Sequence, residues 1–272
     1  MRVLTSWVQP LALALGLAAA GACAAPAVQV TTGQDTPRSA AWAWQAPPNA
    51  QLPFAVAGKA KGFAFNASAR LQWQAADGRY EAVQEVQMPL LGGRRQSSVG
   101  QVTEHGLQPE VFMDRARKEY RVSFDAAAGQ IVFSRGSAPA PWAALTQDRV
   151  SVFFQVGGML AAAPQAYPGG TRITVQAASN KSVKPWVFVI DRQETLQLPA
   201  GPVVALKLLH LDADNAEAGA QASHSALWLA PQWGYLPVRI RMQESANDSL
   251  DLQLQTVPQE LRDMSSTQPV TR

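Results

Sequence analysis

The feature that most constrains this chain is a two-residue hydrophobic period that returns along its length. Leu71 and Trp73 alternate with Gln72 and Gln74, and Ile173, Val175 and Ala177 with Thr174 and Gln176. Val238, Ile240 and Met242 alternate with Arg239, Arg241 and Gln243, and Leu250, Leu252 and Leu254 with Asp251, Gln253 and Gln255. Successive side chains of a strand point to opposite faces, so each run predicts a strand with one face buried and one wet. Trp186 to Ile190 is apolar on both faces and reads as a central strand. Asp77-Gly78 separates a strand ending at Gln74 from one beginning at Arg79, a strong hairpin signal. Gly92-Gly93, Ala128-Gly129, Ser179-Asn180 and Asn247-Asp248 punctuate other pairs. About twelve strands at this close spacing predict an antiparallel meander.

One stretch breaks the period. From Thr146 to Ala163, Val150, Phe153, Phe154 and Leu160 fit a helical face, with Thr146 as N-cap and Asp148 in the first turn. Val150, Val152, Val156, Gly157 and Gly158 oppose a helix, and each glycine costs about 1 kcal/mol against alanine. Pro164 ends the segment. The fold expected is therefore mainly β: a strongly curved antiparallel sheet or incomplete β-barrel, with one helix near residues 147–162 packed across its open side. A membrane-spanning barrel is disfavoured, because Arg239, Arg241, Asp251 and Gln253 would have to face lipid.

The ends of the chain differ from its middle. Residues 1–24 read as a secretory signal: Arg2, an apolar run from Leu11 to Ala20, then Ala22-Cys23-Ala24 with cleavage before Ala25. A second reading stays open, since Ala20-Gly21-Ala22 before Cys23 is close to a lipoprotein processing site. Residues 25–50, rich in Ala and Pro, read as a disordered tether in which Trp42 and Trp44 either form a docking handle or fold back onto an apolar groove. Residues 51–258 form a single β domain, and 259–272 a loose polar tail. The protein is expected in the periplasm, or lipid-anchored there through Cys23.

Composition removes several classes of chemistry. One cysteine in 272 residues excludes a disulfide scaffold or a Cys-based metal site within the chain. A net charge of +3 is too small for a polybasic surface, so no nucleic-acid partner is expected. His105, His210 and His224 show no H-x-x-x-H spacing, and no metal or other cofactor is expected. There is no G-x-S-x-G; Ser97 and Ser98 lie in a predicted strand and are read as ladder hydrogen-bonders. Asp148 is expected to cap the helix and pair with a strand arginine, Arg239, as a structural contact. Arg94, Arg95, Arg115, Arg117, Lys118 and Arg121 concentrate positive charge, diluted by Glu110, Asp114 and Glu119. Trp73, Phe153, Phe154, Trp186 and Trp228 either fill the sheet interior or line a ligand cavity, for which their large area suits them.

Taken together, the succession Ser98-Val99-Gly100-Gln101-Val102-Thr103-Glu104-His105-Gly106-Leu107-Gln108-Pro109, Gln147-Asp148-Arg149, Leu198-Pro199-Ala200-Gly201, Leu227-Trp228-Leu229-Ala230-Pro231 and Leu236-Pro237-Val238-Arg239 resembles the domain of unknown function 3108 family. The resemblance covers about residues 52–258. It implies an exported protein of a Gram-negative bacterium built on an antiparallel β domain, with no activity or catalytic residue to carry over. A curved sheet with a helix across its mouth is also similar to periplasmic lipoprotein carriers, an analogy of architecture alone. The leading expectation is a non-catalytic envelope protein that binds an apolar or amphiphilic ligand, with a lipid, other amphiphile or envelope protein as partner. An assembly module acting through its outer surface is the alternative, and an envelope hydrolase the third reading.

Overall fold

The computed structural model describes residues 26–32, 43–88, 92–212, 225–243 and 245–267. The expected signal segment, Cys23, Trp42 and His224 lie outside the described residues. Alternation becomes two meanders. The first runs through β2 (Ala50–Ala60), β3 (Phe63–Ala76), β4 (Arg79–Met88), β5 (Gly92–Thr103), β6 (Gly106–Arg115), β7 (Glu119–Asp125), β8 (Gln130–Phe133) and β9 (Ala140–Pro141). The second runs through β11 (Arg172–Ala178), β12 (Val183–Leu198), β13 (Gly201–Asp212), β14 (Ser225–Ala230), β15 (Leu236–Gln243) and β16 (Ser249–Leu254). Strand β1 (Val28–Thr31) adds antiparallel to β11, and the short β10 (Gln147–Asp148) pairs parallel with the same strand.

The meanders join where β16 pairs with β2, placing Leu252 opposite Val56 and Leu254 opposite Phe54. The product is one long 16-stranded antiparallel sheet that curves on itself without closing into a barrel. At the β3–β4 turn Asp77 and Gly78 have φ of 52° and 72°, the left-handed pair that a tight hairpin needs. The concave face carries Leu52, Phe54, Leu71, Trp73, Phe112, Phe188 and Leu208, all buried. A smaller buried group, Val187, Val189 and Leu211, lies on the other face of β12 and β13.

The concave face is filled by helix α1 (Ser151–Ala162), whose residues Ser151 to Leu160 are all buried. A helix that is apolar on every side belongs inside a protein, and this one is enclosed by sheet. It begins later than its apolar pattern predicts, and Thr146 does not cap it. Gln147 and Asp148 first extend as β10, opposite Ala177 and Ala178. The Asp148 carboxylate then accepts the N–H groups of Val150 (2.9 Å) and Ser151 (3.0 Å), while Ser151 Oγ accepts the N–H of Asp148 (3.0 Å). That reciprocal exchange does the work of a capping box. The two helix-opposing glycines have a packing reason. A Cβ at Gly157 would sit 2.8 Å from the Tyr235 carbonyl oxygen, and one at Gly158 would sit 2.0 Å from Trp44 Nε1.

Parts of both ends expected to be loose are ordered. Val28–Thr31 is a strand, held because Val28 and Val30 bury against the core cluster. Residues 43–49 cross the helix: Trp44 Nε1 donates to the Gln155 carbonyl (3.2 Å), and Gln45 N–H to that of Gly158 (3.1 Å). Trp44 thus folds back onto the helix. At the other end, α2 (Gln259–Thr267) continues past the sheet and buries Leu261.

Candidate functional site

The concave face has two unlike ends, and adjacent helix residues point to each. Phe154 stacks on Trp73 with ring centroids 4.5 Å apart; Trp73 in turn stacks on Tyr80 (5.6 Å) and donates its indole N–H to the Pro47 carbonyl (3.1 Å). This end is packed solid. Phe153 instead faces Trp186 (6.2 Å) at the open end. There Phe65, Val86, Phe153, Ile240, Leu250 and Leu252 line a cavity of about 270 Å³. A second cavity, of about 260 Å³, lies on the other side of Trp186, bordered by Arg149, Lys181, Lys184, Ser179, Asn180 and Ser182.

Trp186 and Arg149 border both spaces. The Arg149 guanidinium sits 5.7 Å from the Trp186 ring centre, within cation–π range. His210 packs 4.6 Å from the same indole and Phe188 6.3 Å from it. Several wall groups of the apolar cavity are polar, among them Lys59, Gln84, Arg149 and Asp248 as well as Arg94 and Gln96. Arg94 grips Asp114 through two bonds (2.8 and 2.7 Å), and Asn180 Nδ2 donates to the same carboxylate (2.9 Å). These bonds tie β5 and β6 to the β11–β12 turn across a gap that no strand pairing spans. Gln96 is only 6% exposed, and among the described residues its side-chain NH₂ has no hydrogen-bond partner. Buried polar groups are nearly always satisfied, so an unmet amide at a cavity wall is a marked feature.

Of the five aromatic residues proposed for lining, the structure brings Phe153 and Trp186 to the cavities. Trp73 and Phe154 belong to the packed end. Trp228 is corrected to the opposite face of the sheet: it stands opposite Arg239 and Lys207, whereas its neighbour Leu227 stands opposite Ile240 and Leu208 on the concave side. There its N–H donates to Glu194 (2.7 Å) beneath the guanidinium of Arg239, 4.7 Å from its ring. The expected pairing of Asp148 with Arg239 is also corrected. Arg239 makes a two-pronged bond to Asp251 on that outer face (2.9 and 2.6 Å), whereas Asp148 is buried within the concave side. Sequence reasoning missed Gln96, Lys181 and Lys184, because a single glutamine in a strand and two lysines at a turn carry no periodic signal.

Asp148 anchors a sealed polar network. Ser98 Oγ donates to its carboxylate, and the Tyr80 hydroxyl lies 2.8 Å from that Oγ. Burial drives the Asp148 carboxyl up to about 6, against the opposing pull of its hydrogen bonds from Ser98, Ser151 and Val150. Burial, then the nearby Asp148 charge, pushes the Tyr80 phenol well above its ordinary value. Next to it, Gln155 Oε1 accepts the Leu107 N–H (2.8 Å), and Gln147 Nε2 donates to the Leu107 carbonyl (2.7 Å). Gly106 has φ of +128°, and a Cβ there would sit 2.2 Å from Gln155 Oε1. The motifs around Ser98, Gly106 and Gln147-Asp148 therefore meet in the helix anchor. None of Tyr80, Ser98 or Asp148 borders either cavity. His105 lies beside Glu104 at the surface (3.2 Å). Among the described residues no three His, Cys, Asp or Glu side chains cluster to hold a metal, and no helix is long and apolar enough to cross a membrane.

Comparison with known proteins agrees with this architecture. The family model described as protein of unknown function (DUF3108) matches residues 56–255. A β-barrel-like protein of domain of unknown function DUF1849 from Brucella abortus is similar over 79% of this chain and 98% of its own, at 11% identity and a TM-score of 0.50. A putative lipoprotein from Parabacteroides distasonis overlaps 81% of this chain and 100% of its own, at 11% identity and a TM-score of 0.26. At such identity the first likeness shows the fold alone, and the second carries no weight. No curated protein matches significantly.

Proposed function

The chain belongs to the DUF3108 family of proteins of unknown function, and from its geometry we propose that it is a non-catalytic envelope protein that takes an apolar or amphiphilic ligand into the open end of its curved sheet. The observation that carries this is the apolar cavity beside Phe153 and Trp186, a concave space with a few polar groups at its walls. Its volume of about 270 Å³ is just below the span of small-molecule sites, roughly 300–1,000 Å³. The non-catalytic part is supported by the placement of Ser98. Among the described residues its acidic partner is Asp148, both are buried, and their bonds serve the helix anchor. A serine nucleophile needs a base and an approach for substrate. The envelope location is supported by the leader-like pattern of residues 1–24.

Native mass spectrometry of gently purified protein, followed by organic extraction, tests the reading. A co-purifying amphiphile that is lost in Leu250→Trp, which fills the cavity, is the expected result. A clean apo mass that stays unchanged after incubation with envelope lipids overturns it. The mass of the exported N-terminus distinguishes cleavage before Ala25 from a lipid on Cys23.

A further inference from the structure

We infer that the cavity beside Phe153 selects a ligand whose apolar chain carries a neutral carbonyl oxygen, as in an ester, amide or ketone, and that the side-chain NH₂ of Gln96 is the donor to that oxygen. The inference deepens the proposed ligand site and rests on that reading. It starts from a polar group that the fold encloses and leaves unanswered. Gln96 is 6% exposed, it lines the cavity, and its Nε2 has no hydrogen-bond partner among the described residues. Enclosing a donor without a partner is unfavourable, so a ligand that supplies the partner gains what the free protein lacks.

The neighbouring strands explain why the amide is left over. Gln96 on β5 stands opposite Gln84 on β4 and Asp114 on β6. Directly opposed residues hold their Cβ atoms within about 5.5 Å, so the Asp114 carboxylate is the nearest strong acceptor by register. It is already engaged: Oδ1 accepts from Arg94 Nε, and Oδ2 from Arg94 Nη2 and Asn180 Nδ2. Arg94, two residues along β5, shares a face with Gln96 and takes the acceptor that Gln96 lacks. In front of the amide, Val86, Phe153, Ile240, Leu250 and Leu252 line the same space. A ligand of hydrocarbon alone would cut the donor off from water and leave it unmet. A carbonyl oxygen accepts and donates nothing, which matches a wall whose unmet group is a donor; a hydroxyl would bring a further donor to be satisfied. The charged wall groups are of both signs, Lys59, Arg94 and Arg149 with Asp248, so the neutral donor is the group that discriminates.

Headspace partitioning on the full chain tests this with a matched pair of probes: methyl heptyl ketone and the alkene in which a CH₂ group replaces its carbonyl oxygen. Both are compared in the native chain and in Gln96→Met, which keeps the length of the side chain and removes the donor. The change in affinity ratio between the two proteins isolates the amide–carbonyl contact, because the hydration of each free probe cancels. The ratio of ketone to alkene affinity is expected to fall about fivefold to tenfold in the variant, the size of one hydrogen bond, with thermal stability held or raised. A second measurement needs no variant. The C=O stretch of the bound ketone, isotope-labelled at the carbonyl, is expected below its position in hexane, as for a carbonyl that accepts a hydrogen bond. Methyl octanoate and N-methyloctanamide, as competitors of the ketone, then assign an ester or an amide; stronger displacement by either supports the inference. A ratio unchanged in Gln96→Met, or a stretch at its hexane position, overturns the carbonyl contact and leaves the apolar site standing. Failure of both probes to bind overturns both.

Discussion

Phe153 and Phe154 are consecutive residues of one buried helix, yet they serve opposite ends of the same concave surface. At the Phe154 end, aromatic rings stack without a gap and the polar groups of Tyr80, Ser98, Asp148 and Ser151 satisfy one another. At the Phe153 end, the sheet interior is open and the Gln96 amide donor faces space. The contrast teaches that burial alone does not mark a binding site in a curved sheet. What separates the ends is whether the polar groups are already answered from within the fold.

The sharpest way to break this contrast is to truncate each ring in turn. Phe154→Ala removes a side chain packed on all sides and is expected to cost about 3–5 kcal/mol in denaturant unfolding; Phe153→Ala, already flanked by a cavity, is expected to cost roughly half that. Equal losses would mean that the open end is as tightly packed as the other. Next in size is the pH response of the closed end. An aspartate in the unfolded chain titrates near 3.8, whereas Asp148 in the fold titrates near 6. Between those values the folded chain retains a proton that the unfolded chain has released. Stability from this group is therefore full below about pH 4 and falls as pH rises to 6, by on the order of 3 kcal/mol, then stays level. Asp148→Asn is expected to flatten that slope. If a series of urea melts from pH 4 to 7 keeps the slope in the variant, another group is responsible.

Gly158→Ala tests the cover over the closed end. Its methyl group would meet the Trp44 indole, so a loss of about 1–3 kcal/mol is expected, with faster proteolysis within residues 43–49. Unchanged cleavage would show that Trp44 is not held by this contact. The smallest effect belongs to the outer face, where Arg239→Met is expected to change stability by at most about 1 kcal/mol and ligand affinity not at all. A change in affinity would place Trp228 and its cationic cover in the site after all.

The sequence made the strands legible wherever one face is wet. Ile173, Val175 and Ala177, and likewise Val238 and Ile240, take the buried positions that their spacing predicts. The Asp77-Gly78 turn and the existence of the helix were equally readable. Legibility fails where both faces are buried. Every residue of β14 is buried, so no alternation says which way Trp228 points. It fails again for contacts set by distant pairing. The spacing predicts Asp148 as a cap, which it is in effect, but its strand partner is Ser98 and not Arg239, because the curvature that brings β5 under the helix has no local signature. The open end was hardest to read, since a cavity is defined by what does not fill it.

The pairing of β2 with β16 has a consequence for how this molecule comes to exist. Residues 54–59 find their second neighbour only in residues 249–254, the last of the described strands in chain order. Until then the first meander presents β2 as a bare edge, the kind of edge that recruits foreign strands. Joining segments so far apart is entropically slow, so this seam is expected to be the last part of the sheet to gain amide protection in pulsed hydrogen exchange. Protection of β16 before the two meanders form would contradict it. The chain is thus stitched shut by its final strand, and a truncation that removes only residues 249–272 should leave an aggregating intermediate where the full chain gives a folded protein.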